Sequence, residues 1–235
     1  KQYQSMPALS RAALLALTAL ALPGCASNDP RDPLEPTNRA IHAFNETVDR
    51  VAFKPLAKGY QAITPTPVQT GVRNFYSNLD DVTVLANSLL QFKLQQASSD
   101  FLRLAFNTTF GFFGLLDVAS EMGLKKHNED FGQTLGHWGL SSGPYLVLPL
   151  LGPSSFRDGA GLVADGYATD LVHQEETFPS RVEVAALRGI SRRADLLEAK
   201  RAIDEAALDP YEFSRDFYLE RREALVHDGQ ATPAE

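Results

Sequence analysis

Three residues between Gly136 and Gly159 have the side chains of a hydrolase triad: His137, Ser141 and Asp158. The string GLSSG, residues 139–143, also matches G-x-S-x-G, the nucleophile elbow of ester hydrolases. In such a site the serine oxygen attacks a carbonyl while the histidine takes its proton. An elbow needs a strand before the serine and a helix after it. Here Pro144 and Pro149 follow Ser141 within an apolar, extended run. No alternation of strand and helix patterns surrounds them. The segment therefore reads as architecture, with hydrolysis of lipids through Ser141 as the alternative.

Other chemistry finds less support. The histidines are His42, His127, His137, His173 and His227, and none pairs with another at the three- or four-residue spacing of a helical metal site. Neither a Walker loop nor a dinucleotide G-x-G-x-x-G occurs, so the sequence predicts no metal, no cofactor and no catalytic residue. The net charge is −7, and loss of Lys1 and Arg11 with a leader would take it to −9. Nucleic-acid affinity rests on Lys and Arg contacts to phosphate, so no nucleic acid is expected.

The amino terminus carries the strongest local signal. Lys1 and Arg11 precede an apolar run from Ala12 to Leu22, and Leu22-Pro-Gly-Cys25 follows. A charged start, a short apolar stretch and a small residue before the cut describe a secretory signal. A membrane-spanning helix would need about 20 apolar residues. Leu-x-Gly-Cys resembles a bacterial lipobox, which makes residues 1–24 a lipoprotein signal peptide and Cys25 the acylated residue, with Pro23 its one departure. Cys25 is the single cysteine, so no disulfide can staple the fold. In lipoproteins generally Ala26 at the next position favours the outer membrane.

Beyond it, the pattern predicts a tether at 25–34, a single helical domain at 35–228 and a disordered tail at 229–235. Asp32 is the expected N-cap of the first helix, whose apolar face is Ile41, Phe44, Val48 and Val51. KPLAKGYQAITPTP interrupts the helical pattern. SNLDD, 77–81, separates the stripes Val68–Leu79 and Val82–Leu89. Residues 101–118 are the most apolar part of the chain beyond the leader and break near Asn107–Gly111. They read either as two short amphipathic pieces lying in one leaflet or as a buried hairpin. Residues 119–130 read as an exposed loop. Around Pro149 a regular helix is excluded, which leaves an extended apolar strut. Ser155 then caps a new helix. The fold class is mostly α, with one short extended proline-rich segment.

Three blocks, DPLEPTNRAIHAFNETVD (32–49), NTTFGFFGLLDVAS (107–120) and FGQTLGHWGLSSGPYLVLPLLGPSSFRDG (131–159), follow the lipobox in order. Together they resemble the VacJ/MlaA lipoproteins. That resemblance implies a ring-like helical domain embedded in one membrane leaflet, the inner leaflet of a Gram-negative outer membrane, facing the periplasm. It implies a passive amphipathic channel, and no enzyme, that removes mislocalised phospholipid from the outer leaflet. The implied partners are phospholipid, a trimeric outer-membrane porin and the periplasmic lipid carrier MlaC.

Residue roles follow as expectations. Cys25 carries the lipid anchor. Phe110, Phe112, Phe113, Leu115 and Leu116 embed in the leaflet. Asn107 breaks the helix with Gly111 and joins Arg157, Asp158 and Asp165 along the channel or head-group path. Gly123, Leu124, Lys125, Lys126, His127, Asn128, Glu129 and Asp130 match the loop that adjoins the channel and gates it.

Overall fold

The computed structural model describes residues 29–172 and 178–229. The leader, Cys25 and residues 230–235 of the expected tail lie outside the described residues. Helix α1, Glu35–Val48, runs through a π-helical turn, Asp49–Phe53, into α2, Lys54–Ile63. The long α3, Thr66–Leu90, and α4, Leu94–Thr109, follow, then the short α5, Val118–Glu121, and α6, Phe131–His137. A hairpin of β1, Tyr145–Leu148, and β2, Gly152–Ser155, leads into α7, Phe156–Val172. Helices α8, Phe178–Asp195, α9, Leu197–Ala206, and α10, Pro210–Val226, complete the order.

The elements close on themselves. α1 packs on β1, β2 on α10, α10 on α6, α6 on α3, α3 on α8, and α8 on α2, which continues α1. That circuit is the ring-like helical domain of the sequence reading.

The interruption expected over 54–67 narrows to Thr64–Pro65, between α2 and α3, and the break expected at SNLDD is absent. The Lys54 amide reaches back five residues to the Asp49 carbonyl. This wider turn lets the chain pass Pro55, which lacks an amide hydrogen and would crowd an α-helical ladder, so the helix bends without ending. SNLDD does not end a helix either. It lies within α3, with Asn78 and Asp81 buried.

Those buried groups show how the ring is organised. The largest fully buried side chains include Arg103, Asn38, Asn87, Thr134, Asp32, Asp81 and Asp100, with Tyr145 the one large aromatic. Phe44, Ile63, Phe101, Phe112, Tyr167 and many other large apolar side chains are exposed. Water-soluble domains bury their apolar residues and exclude charged ones, so this distribution is inverted. The small apolar core is Tyr145, Val147 and Tyr211, with Ile41, Tyr218 and Leu219 packed against it.

Asparagines join α1 to the hairpin. Asn38 Nδ2 donates to the Tyr145 carbonyl at 3.0 Å and Asn38 Oδ1 accepts from the Val147 amide at 2.9 Å. Seven residues on, Asn45 repeats the exchange with the Leu148 carbonyl and the Leu150 amide. Two helical turns thus satisfy the outer edge of β1, which would otherwise expose unpaired backbone groups. Asp32 does not cap α1, whose N-cap position is Leu34. Its buried carboxylate accepts from Asn38 Nδ2 at 2.8 Å and from the Tyr211 hydroxyl at 2.5 Å, so this part of the expected tether is built into the fold.

Candidate functional site

Two adjoining cavities lie in the ring. One of about 950 Å³ is lined by Lys93 and the start of α4, by Gly123–Lys125 and His127–Glu129, and by the end of α10. The other, about 820 Å³, is lined from α3, α7, α8 and α10. Asn128, Glu129, Gln133, Arg221 and Leu225 belong to both walls.

A chain of buried polar groups forms the wall between α3 and the 123–130 segment. Glu129 accepts from Lys93 Nζ at 3.0 Å, from Gln96 at 2.8 Å and from Gln91 at 2.9 Å. Gln91 also donates to Thr134 Oγ1, whose hydroxyl donates to Asn87 Oδ1. Asn87 donates to Asp165 Oδ1, and the Phe131 amide donates to Asp165 Oδ2 at 2.9 Å. Burial pushes the Asp165 carboxyl above its usual range, against these hydrogen bonds.

Residues 119–130, expected as an exposed loop, begin in α5 with Ala119 buried and are exposed only in part. Lys126 Nζ donates to Asp81 and to the Ser77 carbonyl. His127 Nδ1 lies 2.6 Å from Asp100 Oδ1, and Leu124 O accepts from Arg103 at 2.6 Å. Asp130 caps α6 through the Gln133 amide. Burial pushes the Asp130 carboxyl up, but Arg222 at 2.5 Å outweighs it and holds the group below the usual range.

The expected membrane-embedding residues come together. Phe110, Phe112, Phe113, Leu115 and Leu116 are all exposed on one turn after α4. This turn replaces the second amphipathic piece of the sequence reading. Phe112 and Phe113 hold left-handed backbones, φ 52° and 58°, which β-carbons disfavour. Gly111 allows the fold-back: a β-carbon there would meet the Leu116 carbonyl oxygen at 2.2 Å. Asn107 does not break the helix. It stays within α4, buried, and its Oδ1 accepts from the Ala119 amide while its Nδ2 donates to Asp117.

Of the four residues assigned to the channel or head-group path, Asp165 lines the second cavity. Asn107, Arg157 and Asp158 line neither of the two cavities. Asp158 is buried and engaged by Arg157 Nε at 2.9 Å, Arg222 Nη2 at 2.9 Å and the Tyr218 hydroxyl at 2.6 Å. Burial pushes its carboxyl up, yet Arg222, with the Tyr218 and Arg157 hydrogen bonds, keeps it below the usual range. Ser155 caps α7 as expected, its Oγ accepting from the Asp158 amide at 3.1 Å.

The triad does not assemble. His137 and Ser141 are exposed, whereas Asp158 is buried and engaged by other donors. A helix precedes Ser141 and a strand follows it, the reverse of an elbow. Gly139, Gly143 and Gly152 have positive φ, so this glycine-rich segment sets turns around the hairpin. No group of three or more potential metal ligands occurs among the described residues.

Arg192, Arg221 and Gln133 line the cavities and were not selected from the sequence. The spacing of the two arginines on charge-rich helices resembles any solvated face, and only tertiary placement distinguishes them.

A closed helical ring with buried polar networks, many large apolar side chains exposed and adjoining cavities is a build suited to contact with apolar surroundings. No helix among the described residues is long and apolar enough to cross a membrane. The MlaA lipoprotein family profile matches residues 30–225, and the chain belongs to that family. It is 35% identical over 234 residues to the Escherichia coli (strain K12) protein named intermembrane phospholipid transport system lipoprotein MlaA, covering 96% of this chain and 92% of that one. The Haemophilus influenzae protein of the same name is 32% identical over 224 residues, covering 91% and 89%. A solved structure described as the structural basis for maintenance of bacterial outer membrane lipid asymmetry superposes with a TM-score of 0.73 at 32% identity. That match covers 83% of this chain and 98% of the other.

Proposed function

We propose that this protein is an outer-membrane lipoprotein that maintains lipid asymmetry as a passive amphipathic channel. It takes mislocalised phospholipid from the outer leaflet and hands it to a soluble periplasmic carrier of the MlaC type, while associated with a trimeric porin. Acylated Cys25 and the Phe110–Leu116 turn hold it in the inner leaflet. A lipid chain with an exposed apolar segment meets the need for two membrane signals, since one acyl chain alone binds marginally. Segment 123–130 gates the passage.

The inverted distribution carries this reading: Arg103, Asn38 and Asn87 are buried while Phe112 and Phe113 are exposed. Each tail methylene exposed to water costs about 0.8 kcal/mol, so phospholipid transfer needs shelter for the tails together with a polar route for the head group. Adjoining cavities with a polar shared wall supply such a route. On this reading the channel is passive, and flow follows the lipid gradient.

The test is complementation of a strain lacking its own copy, scoring outer-leaflet phospholipid. The wild-type gene should restore asymmetry and Cys25→Ala should fail to fractionate efficiently with the outer membrane. Wild-type protein that reaches the membrane but leaves outer-leaflet phospholipid unchanged would reject the proposal.

A further inference from the structure

Every acidic side chain lining the two cavities has a donor. Asp80 is paired with Arg188 at 2.5 Å, Glu129 and Asp228 with Lys93 at 3.0 and 2.5 Å, and Asp130 with Arg222 at 2.5 Å. Asp165 accepts from Asn87 and the Phe131 amide. Three cations lining the cavities have no ion pair or hydrogen bond among the described residues: Lys125, Arg221 and Arg192. Their placement is ordered. Lys125 lines the first cavity alone, Arg221 lines both, and Arg192 lines the second alone. In a chain of net charge −7, the uncompensated charge on this route is thus positive and recurs in both cavities.

We propose that Lys125, Arg221 and Arg192 are successive binding positions for the phosphodiester of a transported lipid, with Arg221 the shared middle position. This inference rests on the transport reading and adds its head-group chemistry. An arginine fork matches phosphate oxygens with two parallel donors, whereas lysine offers a point charge. Lys125 therefore suits loose capture, and Arg221 and Arg192 suit oriented holding. A guanidinium already paired with two carboxylates, as in Arg222, could not release them without leaving a buried charge. The unpaired cations accept a phosphate with no such loss. Recognition through phosphate admits any glycerophospholipid, whatever its head-group alcohol.

The test uses the full chain in detergent and measures binding of short-chain phosphatidylglycerol, the matching diacylglycerol and inorganic phosphate by calorimetry. The wild type should prefer phosphatidylglycerol to diacylglycerol by about tenfold or more, the scale of a hydrogen bond to a charged group. Arg221→Gln should lower phosphatidylglycerol affinity about tenfold, Arg192→Gln less, and neither should change diacylglycerol affinity. Arg221→Lys should recover part of the loss. Unfolding midpoints should be unchanged, because neither arginine has a partner among the described residues. Unchanged phosphatidylglycerol affinity in the double variant, or equal loss for both lipids, overturns the proposal. Inorganic phosphate binding as tightly as phosphatidylglycerol would assign the site to free phosphate and overturn the lipid role. If the wild type binds both lipids alike, the phosphate inference alone falls. If it binds neither, the transport reading falls with it.

Discussion

The guanidinium of Arg103 donates to both carboxylate oxygens of Asp117, at 3.1 and 3.2 Å, from a side chain that is 1% exposed. It also donates to the Leu124 carbonyl and to Ser120 Oγ. One buried cation therefore ties α4 to the aromatic turn on one side and to segment 123–130 on the other. Asp81 lies 3.9 Å from Arg103 Nε, and burial pushes its carboxyl up against the pull of Lys126 and Arg103. Arg103→Met keeps much of the side chain's bulk but takes the arginine from both acids, leaving Asp81 to Lys126 and Asp117 to Asn107 and Ser120. The expected loss is about 3–5 kcal/mol of unfolding free energy in detergent, the cost of breaking a buried pair. A loss below about 1 kcal/mol would show that the network is not a structural hub.

Gly111 and Gly123 separate crowding from backbone strain. A β-carbon at Gly111 meets Leu116 O at 2.2 Å and Asn107 O at 2.4 Å, both backbone atoms that cannot rotate away. Gly123 has φ +81° but nothing within 4 Å. Gly111→Ala should cost about 2–4 kcal/mol, and Gly123→Ala about 1 kcal/mol, from left-handed strain alone. Denaturant midpoints of the two variants decide it, and the reverse order would refute the contact argument.

The helical class and the Ser155 cap were legible because periodicity and capping are local. Which way a helical face points is not local. SNLDD reads as a break if polar residues must face water, but Asn78 and Asp81 point into a polar interior, so α3 runs through them. Asp32 has the residue type of an N-cap, yet its partner Tyr211 is 179 residues away. The same limit hid the charge balance of the cavities: Arg221 and Arg222 are neighbours in sequence, and only the fold gives Arg222 two carboxylates and Arg221 none among the described residues.

Arg222 sets a pH dependence. Asp130 and Asp158 have folded pKa values held below their unfolded ones. Their contribution is therefore present above the unfolded pKa, about 3.9, and is lost as pH falls through the lowered folded values. Arg222→Gln removes the opposing charge and lets burial dominate at Asp158. Its folded pKa then rises above the unfolded value, so the variant loses stability as pH climbs through that range. The gap between wild type and variant should be small near pH 3 and reach about 3 kcal/mol at pH 7. Unfolding midpoints across this range give the answer, and a pH-independent gap would mean that packing of Arg222, not charge, is at stake.

Ser141→Ala and His137→Ala should leave outer-leaflet phospholipid at wild-type level in the complemented strain. Both residues are exposed, and neither is positioned by a neighbouring acid, since Asp158 serves Arg157, Arg222 and Tyr218. A rise to the level of the empty strain, with normal abundance of Ser141→Ala protein, would restore the hydrolase reading.

Phe112 and Phe113 set backbone strain against membrane contact. They are 69% and 75% exposed, and both have left-handed φ. Left-handed backbone costs a non-glycine residue about 1 kcal/mol or more, so Phe→Gly relieves strain. Glycine also loses about 0.5–1 kcal/mol through its freer unfolded chain. The two terms nearly cancel, so fold stability in detergent should change by less than about 1 kcal/mol per site. Membrane partition has no such compensation. Burying a phenylalanine is worth about 1.5–3 kcal/mol, so each Phe→Gly change should weaken partition to phospholipid vesicles about tenfold or more. Flotation of the full chain with vesicles measures partition, and thermal unfolding measures stability. If partition holds while stability collapses, the aromatics are core residues and the turn does not embed. If partition falls while stability holds, the strained backbone aims aromatic rings into the leaflet.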